Sequence, residues 1–333
     1  MGSILFLVCQ RKLCLLYTIL ILMVSASSAQ NQIEQVELPF QKDLIPEGIA
    51  IDSISRKIYV NSLKHNKIVR CDFDGKNQED FVKSNQYGYL PGFGMTIKGD
   101  TLFALGNNLP KSSNKSVLLL LNTQTGALIK SYTIDNSDFI YLNDIAVGPK
   151  GKLYITDSES DNIYTLNPQK DALEIFFSHP EIKHPNGIAI SPDGKTLFLA
   201  TYTSGIRVLD IGSQKLINHN NDFKGIDGMK FYQNSLLAIV NGKRDATQNG
   251  LFRFYLDKNL SKIVSEEKLA SFQNPTDIPT TFALFNNQMF YVSDSQLDML
   301  NQENYEILNA SELKDYILTK QPIHSKHRKN QNP

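Results

Sequence analysis

Residues 46–75 read PEGIAIDSISRKIYVNSLKHNKIVRCDFDG, and two later stretches repeat their pattern: LNDIAVGPKGKLYITDSESDNIYTLNP at 142–168 and HPNGIAISPDGKTLFLATYTSGIRVLDIG at 184–212. Each copy has a polar opening, a short run rich in Ile, Val and Leu, a turn with Gly, Pro or Asp, and a second run of the same kind. Weaker copies begin at Gly92, Gly225 and Pro275, which makes six. Short apolar runs separated by such turns are typical of β-strands.

The spacing of the copies indicates the fold. Their opening residues lie 46, 50, 43, 41 and 49 positions apart. A period of about 40–50 residues built from short strands is typical of β-propeller blades. The sequence therefore predicts an all-β, six-bladed β-propeller over residues 30–310. For residues 311–333 it predicts a short helix, running from Ala310 to Lys320, and then a basic tail at 326–329.

The first 29 residues have the pattern of a secretory signal peptide. Arg11 and Lys12 precede an apolar run over residues 13–24, and small residues follow up to Ala29. That run is shorter than the roughly 20 residues that a membrane-spanning helix needs. We therefore expect cleavage after Ala29 and an exported protein, periplasmic or secreted, without a stable membrane span. A retained signal anchor is the alternative.

Composition narrows the possible partners. The chain has 34 basic and 34 acidic residues, a balance that favours no nucleic-acid partner. Signal cleavage would leave Cys71 as the only cysteine, so we expect no internal disulfide. The sequence has no Gly-x-Ser-x-Gly motif, which argues against a serine hydrolase. It leaves the oligomeric state open.

The opening residues of the six units should meet at the centre of the propeller, because the first strand of each blade lines the channel. The predicted ring consists of Glu47, Phe93, Asn143, Asn186, Asp227 and Thr276. Two carboxylates held this close repel each other unless a cation lies between them. The all-oxygen ligand set favours calcium, with Mg²⁺, Mn²⁺ or Zn²⁺ as alternatives. His184 is a further candidate for the substrate pocket, together with Phe93 and Thr276, although a loop histidine without a catalytic role is the simpler interpretation.

Four openings in this order, Pro-Glu47-Gly, Leu-Asn143-Asp, Pro-Asn186-Gly and Ile-Asp227-Gly, resemble the gluconolactonase and senescence-marker-protein (regucalcin-like) propeller family. The resemblance covers most of the chain after residue 30. It implies a metal held by Glu47, Asn186 and Asp227, with Asn143 beside the metal and its bound water or substrate. Family members hydrolyse sugar lactones and related esters, and Asp227 would then be both a ligand and the proposed base.

The chain departs from this family at the second blade and next to the glutamate. Phe93 stands where family branches carry a polar side chain that binds substrate, and Gly48 stands where one branch carries an aspartate for a second calcium. We therefore expect one cation, and a lactone or small ester that is less polar than a sugar lactone. A non-catalytic, NHL-like propeller that binds a ligand or a protein partner is the main alternative. A condensing enzyme resembling strictosidine synthase is a weaker one.

Overall fold

The computed structural model describes residues 32–110, 114–135, 139–221, 223–301 and 303–323. The signal peptide predicted for residues 1–29 and the basic tail at 326–329 lie outside the described residues. The chain forms six four-stranded sheets of antiparallel neighbours, which confirms the all-β, six-bladed propeller. Within the described ranges, no helix is long and apolar enough to cross a membrane.

The strands of a blade follow the chain from the channel outward. The first strand of the chain, β1 (Glu34–Leu38), is set apart and belongs to the last blade. Blade one contains β2 (Ile49–Asp52), β3 (Lys57–Asn61), β4 (Ile68–Asp72) and β5 (Glu79–Val82). Blade two contains β6 (Gly92–Lys98), β7 (Thr101–Asn107), β8 (Lys115–Asn122) and β9 (Leu128–Asp135). Blade three contains β10 (Leu142–Val147), β11 (Leu153–Asp157), β12 (Asn162–Asn167) and β13 (Ala172–Ser178).

The second half of the chain repeats this arrangement. Blade four contains β14 (Pro185–Ile190), β15 (Thr196–Thr201), β16 (Gly205–Asp210) and β17 (Lys215–Asn221). Blade five contains β18 (Ile226–Phe231), β19 (Ser235–Val240), β20 (Gly250–Leu256) and β21 (Ile263–Ala270). Blade six contains β22 (Ala283–Phe285), β23 (Gln288–Val292), β24 (Tyr316–Pro322) and, outermost, β1.

Blade six closes the propeller with strands from both ends of the described chain, and it corrects one prediction. The expected helix from Ala310 to Lys320 is wrong: Ala310–Glu312 form one 3-10 turn, and Tyr316–Pro322 form β24. Leu318 pairs with Val36 on one side and with Val292 on the other. Hydrogen bonds to two neighbouring strands outweigh the weak local preference for a helix. The propeller therefore continues to Pro322 instead of ending at residue 310.

The core lies between adjacent blades. In one cluster, Ile58 and Val60 of blade one pack against Phe290 and Leu318 of blade six. Burying a side chain of this size stabilises a fold by about 1.5–3 kcal/mol. Cys71 lies in the same cluster, where burial raises the pKa of its thiol to about 12. This cysteine is therefore an unreactive core residue.

One face of the propeller carries the loops that matter for the site. Neighbouring strands are antiparallel, so the first strand of each blade begins at the face where the second strand ends. The connections between second and third strands therefore surround the same end of the channel as the predicted ring.

Candidate functional site

The starts of the six inner strands form a closed ring, because each one contacts the next through its backbone. A Cβ atom added to Gly48 would lie 2.1 Å from the Phe93 carbonyl oxygen, and one added to Gly187 would lie 2.2 Å from that of Asp227. The same close approach joins Gly94 to the Asn143 carbonyl and Gly228 to the Thr280 carbonyl. Thr156 donates a hydrogen bond of 2.7 Å to the Asn186 carbonyl. The structure thus brings together Glu47, Phe93, Asn143, Asn186 and Asp227.

The sixth ring position belongs to Thr280, and the prediction of Thr276 is wrong. Thr276 is exposed, whereas Thr280 is 5% exposed. The hydroxyls of Thr280 and Thr281 donate to the Glu47 carbonyl at 2.7 and 3.0 Å, which closes the ring. The segment contains two Pro-Thr pairs, and only the second, at residues 279–280, stands three residues before an alanine, as the openings at Glu47 and Asn186 do. The prediction used the first pair.

Polar residues at the ends of the second strands hold the ring in place. Asn61 accepts a hydrogen bond of 2.7 Å from the Gly48 amide and donates to the Phe93 carbonyl. Asn107 binds both the amide and the carbonyl of Leu142, at 2.9 Å each. The sequence interpretation missed these residues. A signal existed, since a polar residue follows the second apolar run of every unit: Asn61, Asn107, Asp157, Thr201, Asn241 and Ser293.

Three side-chain oxygens of the ring are buried without a hydrogen-bond partner: Glu47 Oε2, Asn186 Oδ1 and Asp227 Oδ1. The second oxygen of Asp227 accepts a hydrogen bond of 2.6 Å from Asn241 Nδ2, which fixes the carboxylate. Leaving one buried polar atom unsatisfied costs about 1–3 kcal/mol. The side chains of Glu47 and Asn186 both lie within interaction range of Asp227, so the three oxygens fit one ligand that accepts electron pairs from oxygen.

The charges of the ring point to a cation. Burial, then the charge of Asp227 and that of Asp144, raise the pKa of Glu47 well above its usual range. Burial also raises the pKa of Asp227 to about 7, with a smaller contribution from Asp144, although the hydrogen bond from Asn241 opposes it. Without a cation the ring therefore holds protons at neutral pH that exposed carboxyl groups would have lost.

The fit to a metal depends on amides as well as carboxylates. In the described part of the chain, no group of three or more His, Cys, Asp and Glu side chains could hold an ion. The unpartnered oxygens instead come from two carboxylates and one amide, a set that suits a hard cation such as calcium.

Asn143, 7% exposed, occupies the ring position between Phe93 and Asn186. Asp144 replaces the glycine of other blades and accepts hydrogen bonds from the Ile145 and Ile188 amides.

The surroundings of the ring are aromatic. The ring of Phe93 meets that of Tyr141 edge-on, with centroids 4.5 Å apart. Tyr202 lies on the opposite flank, within the electrostatic reach of Asp227, and is 39% exposed. His184 is exposed, and its Nδ1 atom lies 2.8 Å from the Ser158 carbonyl oxygen, so its side chain is on the rim of blade four.

The described cavities lie elsewhere. One of about 400 Å³ is lined by residues of β1, blade six and the end of blade five, among them Gln35, Phe272 and Tyr291. None of the ring residues lines it. The candidate site is therefore identified by its unpartnered oxygens and its charges and not by the size of an open pocket.

Comparison with known proteins gives one family and several similar folds. The model of the SMP-30/gluconolactonase/LRE-like region matches residues 45–234. No curated protein matches the chain in sequence.

Among solved structures, a gluconolactonase from Xanthomonas campestris is 14% identical with a TM-score of 0.54, covering 83% of this chain and 86% of that one. A luciferin-regenerating enzyme is 13% identical with a TM-score of 0.56, covering 87% and 95%. A virginiamycin B lyase from Staphylococcus aureus is 17% identical with a TM-score of 0.53, covering 87% and 99%. At these identities the likeness shows the fold alone, and the set includes a lyase as well as a lactonase.

Proposed function

Since this chain belongs to the SMP-30/gluconolactonase/LRE-like family, we propose that it hydrolyses a lactone or a small ester at a divalent-cation site on the propeller axis. The observation that carries the proposal is the set of three buried oxygens without partners, on Glu47, Asn186 and Asp227. Those three residues, with Asn143 beside them, would hold the ion. Their all-oxygen chemistry favours calcium over zinc.

The bound cation would act as a Lewis acid on the carbonyl group of the substrate. Asp227 is suited to take a proton from the attacking water, because Asn241 fixes one of its oxygens at 2.6 Å and leaves the other facing the ring. Asn143 can orient the substrate through its amide. Asp227 would take one proton of the water as its oxygen adds to the carbonyl carbon, and would return that proton to the alkoxide when the carbon–oxygen bond of the ester breaks.

Two measurements test the proposal. Calorimetric titration of chelator-treated protein with calcium should show one site, which Glu47→Gln and Asp227→Asn weaken strongly. An exposed aspartate in the turn between β6 and β7 offers the matched control, because Asp100→Asn should bind calcium as the wild type does. A pH-indicator assay over aliphatic and aryl lactones and esters should then show turnover that chelation abolishes.

The outcomes separate the alternatives. A wild-type protein that binds neither calcium nor another divalent ion would refute the metal site. Tight calcium binding without turnover across the panel would instead support a ligand-binding propeller. Turnover that persists after chelation and in Asp227→Asn would show a hydrolase whose chemistry lies outside the ring.

We also propose that the protein is exported, on the strength of the basic and apolar pattern before Ala29. Expression of the full chain and sequencing of the exported product should give a mature protein that begins at Gln30. An uncleaved chain that stays with the membrane fraction would contradict this and support the signal anchor.

A further inference from the structure

The connection between the second and third strands of blade six is much longer than its counterparts at the ring face. It runs from residue 293 to 315, whereas the corresponding connection of blade four contains only residues 202–204. We call residues 293–301 and 303–315 the blade-six strap. All six connections lie around the channel mouth, so an extension of this length starts at the same face as the ring.

The strap is ordered by its own hydrogen bonds. Leu300 forms an isolated β-bridge with Ile307, and the Met299 carbonyl accepts a hydrogen bond of 2.9 Å from the Leu308 amide. At its base, the Gln296 side chain accepts from the Lys314 amide at 2.7 Å and donates to the Lys314 carbonyl at 3.2 Å. The strap is therefore a defined hairpin and not a loose loop.

The strap packs on the blades across the channel from its origin. Leu300 is 4% exposed and Leu313 is 7% exposed, and both belong to the apolar cluster that contains Phe93. Ile45, at the mouth of blade one, belongs to the same cluster. Tyr305 packs against this cluster too and lies within electrostatic reach of Tyr141 in blade three, the blade opposite blade six.

Lys64 of blade one binds the tip of the strap. Lys64 Nζ donates a hydrogen bond of 3.3 Å to the Tyr305 carbonyl and forms an ion pair with Glu306. The charge of Lys64 is therefore already paired with Glu306 of the strap. The strap side chains that join the cluster are apolar or aromatic: Leu297, Met299, Leu300, Tyr305, Ile307 and Leu313.

The ring residues differ in exposure. Those of the other five blades are buried, whereas Asn186 of blade four is half-buried. Under the strap, Phe93 is 1% exposed and Glu47 is 8% exposed. On the flank of blade four, Tyr202 is 39% exposed and His184 is exposed as well. Access to the ring is therefore from the side of blade four.

We propose that the blade-six strap determines specificity by covering the ring over blades one to three, so that the site accepts only a small, uncharged lactone or ester from the blade-four side. Its apolar face offers no partner for a carboxylate or phosphate group on the substrate, and Lys64 is already paired. Tyr305 limits the room beside Phe93 and Tyr141. This inference rests on the proposed hydrolase function, and one arm of its test is independent of hydrolysis.

The first arm measures the size of the opening with thiol reagents. In the mature chain from Gln30, where Cys71 is the only other cysteine and is buried, Phe93→Cys places a thiol under the strap. We would measure the ratio of the labelling rate with bulky dithiobis(nitrobenzoate) to the rate with small methyl methanethiosulfonate. This ratio should be at least tenfold lower for the thiol at position 93 than for free cysteine. Adding Tyr305→Ala should remove most of this difference, whereas Tyr87→Ala, in the 3-10 turn that connects blades one and two, should not.

The second arm measures ester preference in calcium-loaded protein. In Tyr305→Ala, the kcat/KM ratio of phenyl octanoate to phenyl acetate should rise about tenfold, a change typical of enlarging an apolar pocket, and Tyr87→Ala should leave it unchanged. A labelling ratio that does not respond to Tyr305→Ala overturns the cover, whether or not any ester is hydrolysed. If Tyr305→Ala changes the labelling ratio but leaves the ester preference unchanged, the strap covers the ring but does not determine specificity. A labelling response in calcium-bound protein that hydrolyses no lactone and no ester supports the cover and refutes the proposed hydrolysis.

Discussion

Replacing Asp227 with asparagine should remove a pH-dependent loss of stability from the calcium-free protein. Burial raises the pKa of Asp227 to about 7, against about 3.9 for an aspartate in an unfolded chain. Between these pH values the folded chain holds a proton that the unfolded chain has lost. The free energy of unfolding therefore falls as the pH rises through this window and levels off above it. About three pH units at about 1.4 kcal/mol each correspond to a loss of about 4 kcal/mol.

The substitution should preserve the fold, because the amide oxygen of an asparagine can still accept the hydrogen bond from Asn241. We would follow the melting temperature with EDTA from pH 5 to pH 8.5. Between pH 5 and the pKa of about 7 the loss is about 3 kcal/mol, so at about 2–4 °C per kcal/mol the wild type should lose roughly 6–12 °C relative to Asp227→Asn over this range. Adding calcium at pH 8 should restore most of the difference, because the ion binds the ionised carboxylates of the folded state.

The reasoning would be refuted if the melting temperatures of the two proteins changed with pH in parallel over the whole range. Asp227 would then ionise in the folded protein without penalty. Calcium that raises the melting temperatures of both proteins equally would place the ion elsewhere. Asp100→Asn should follow the wild type at every pH and with calcium.

Three further substitutions test the ring scaffold by chemical denaturation. Asn61→Ala leaves buried backbone groups of two blades unsatisfied, and should lower the free energy of unfolding by about 2–5 kcal/mol and weaken calcium binding, whereas Asn259→Ala, at an exposed position, should do neither. Gly187→Ala places a methyl group 2.2 Å from a backbone carbonyl of the next blade, and should cost roughly 3 kcal/mol or more, whereas Gly212→Ala, with its nearest atom at 3.7 Å, should be close to neutral. Tyr316→Phe removes a buried hydroxyl that donates to one backbone carbonyl at 2.6 Å and accepts from an amide at 3.0 Å, so it should cost about 1–3 kcal/mol. For any of the three substitutions, an unchanged denaturation midpoint would contradict the contact concerned.

The repeat made the fold predictable. Each blade needs the same apolar alternation and the same turn chemistry, so six copies of one pattern carry the signal six times. The last blade breaks the rule, because its inner strand is only Ala283–Phe285 and its outer strands come from two distant parts of the chain. Local pattern cannot show that Tyr316–Pro322 pairs with Glu34–Leu38, and the predicted helix failed for this reason.

The site could be predicted in part. The polar openings were visible because they stand at the same place in each unit, whereas Thr280 was missed since a second Pro-Thr pair precedes it by four residues. Asn61 and Asn241 belong to the polar ends of the second runs, and their role depends on contacts between blades that no single unit contains. The blade-six strap is an insertion, so a repeat gives no expectation for where it packs.

The ring does not need its carboxylates in order to close. Its closure depends on backbone groups: the Glu47 carbonyl accepts hydrogen bonds from Thr280 and Thr281, and the Gly48 amide is held by Asn61. Phe93 supports this, because it fills the equivalent position of blade two with an apolar side chain while its carbonyl still accepts a hydrogen bond from the preceding blade, donated by Asn61. Buried carboxylates at positions 47 and 227 thus raise the free energy of the folded state without supporting its geometry. A cation bound between them, as we propose, would make both charges favourable, which the geometry of the propeller alone does not.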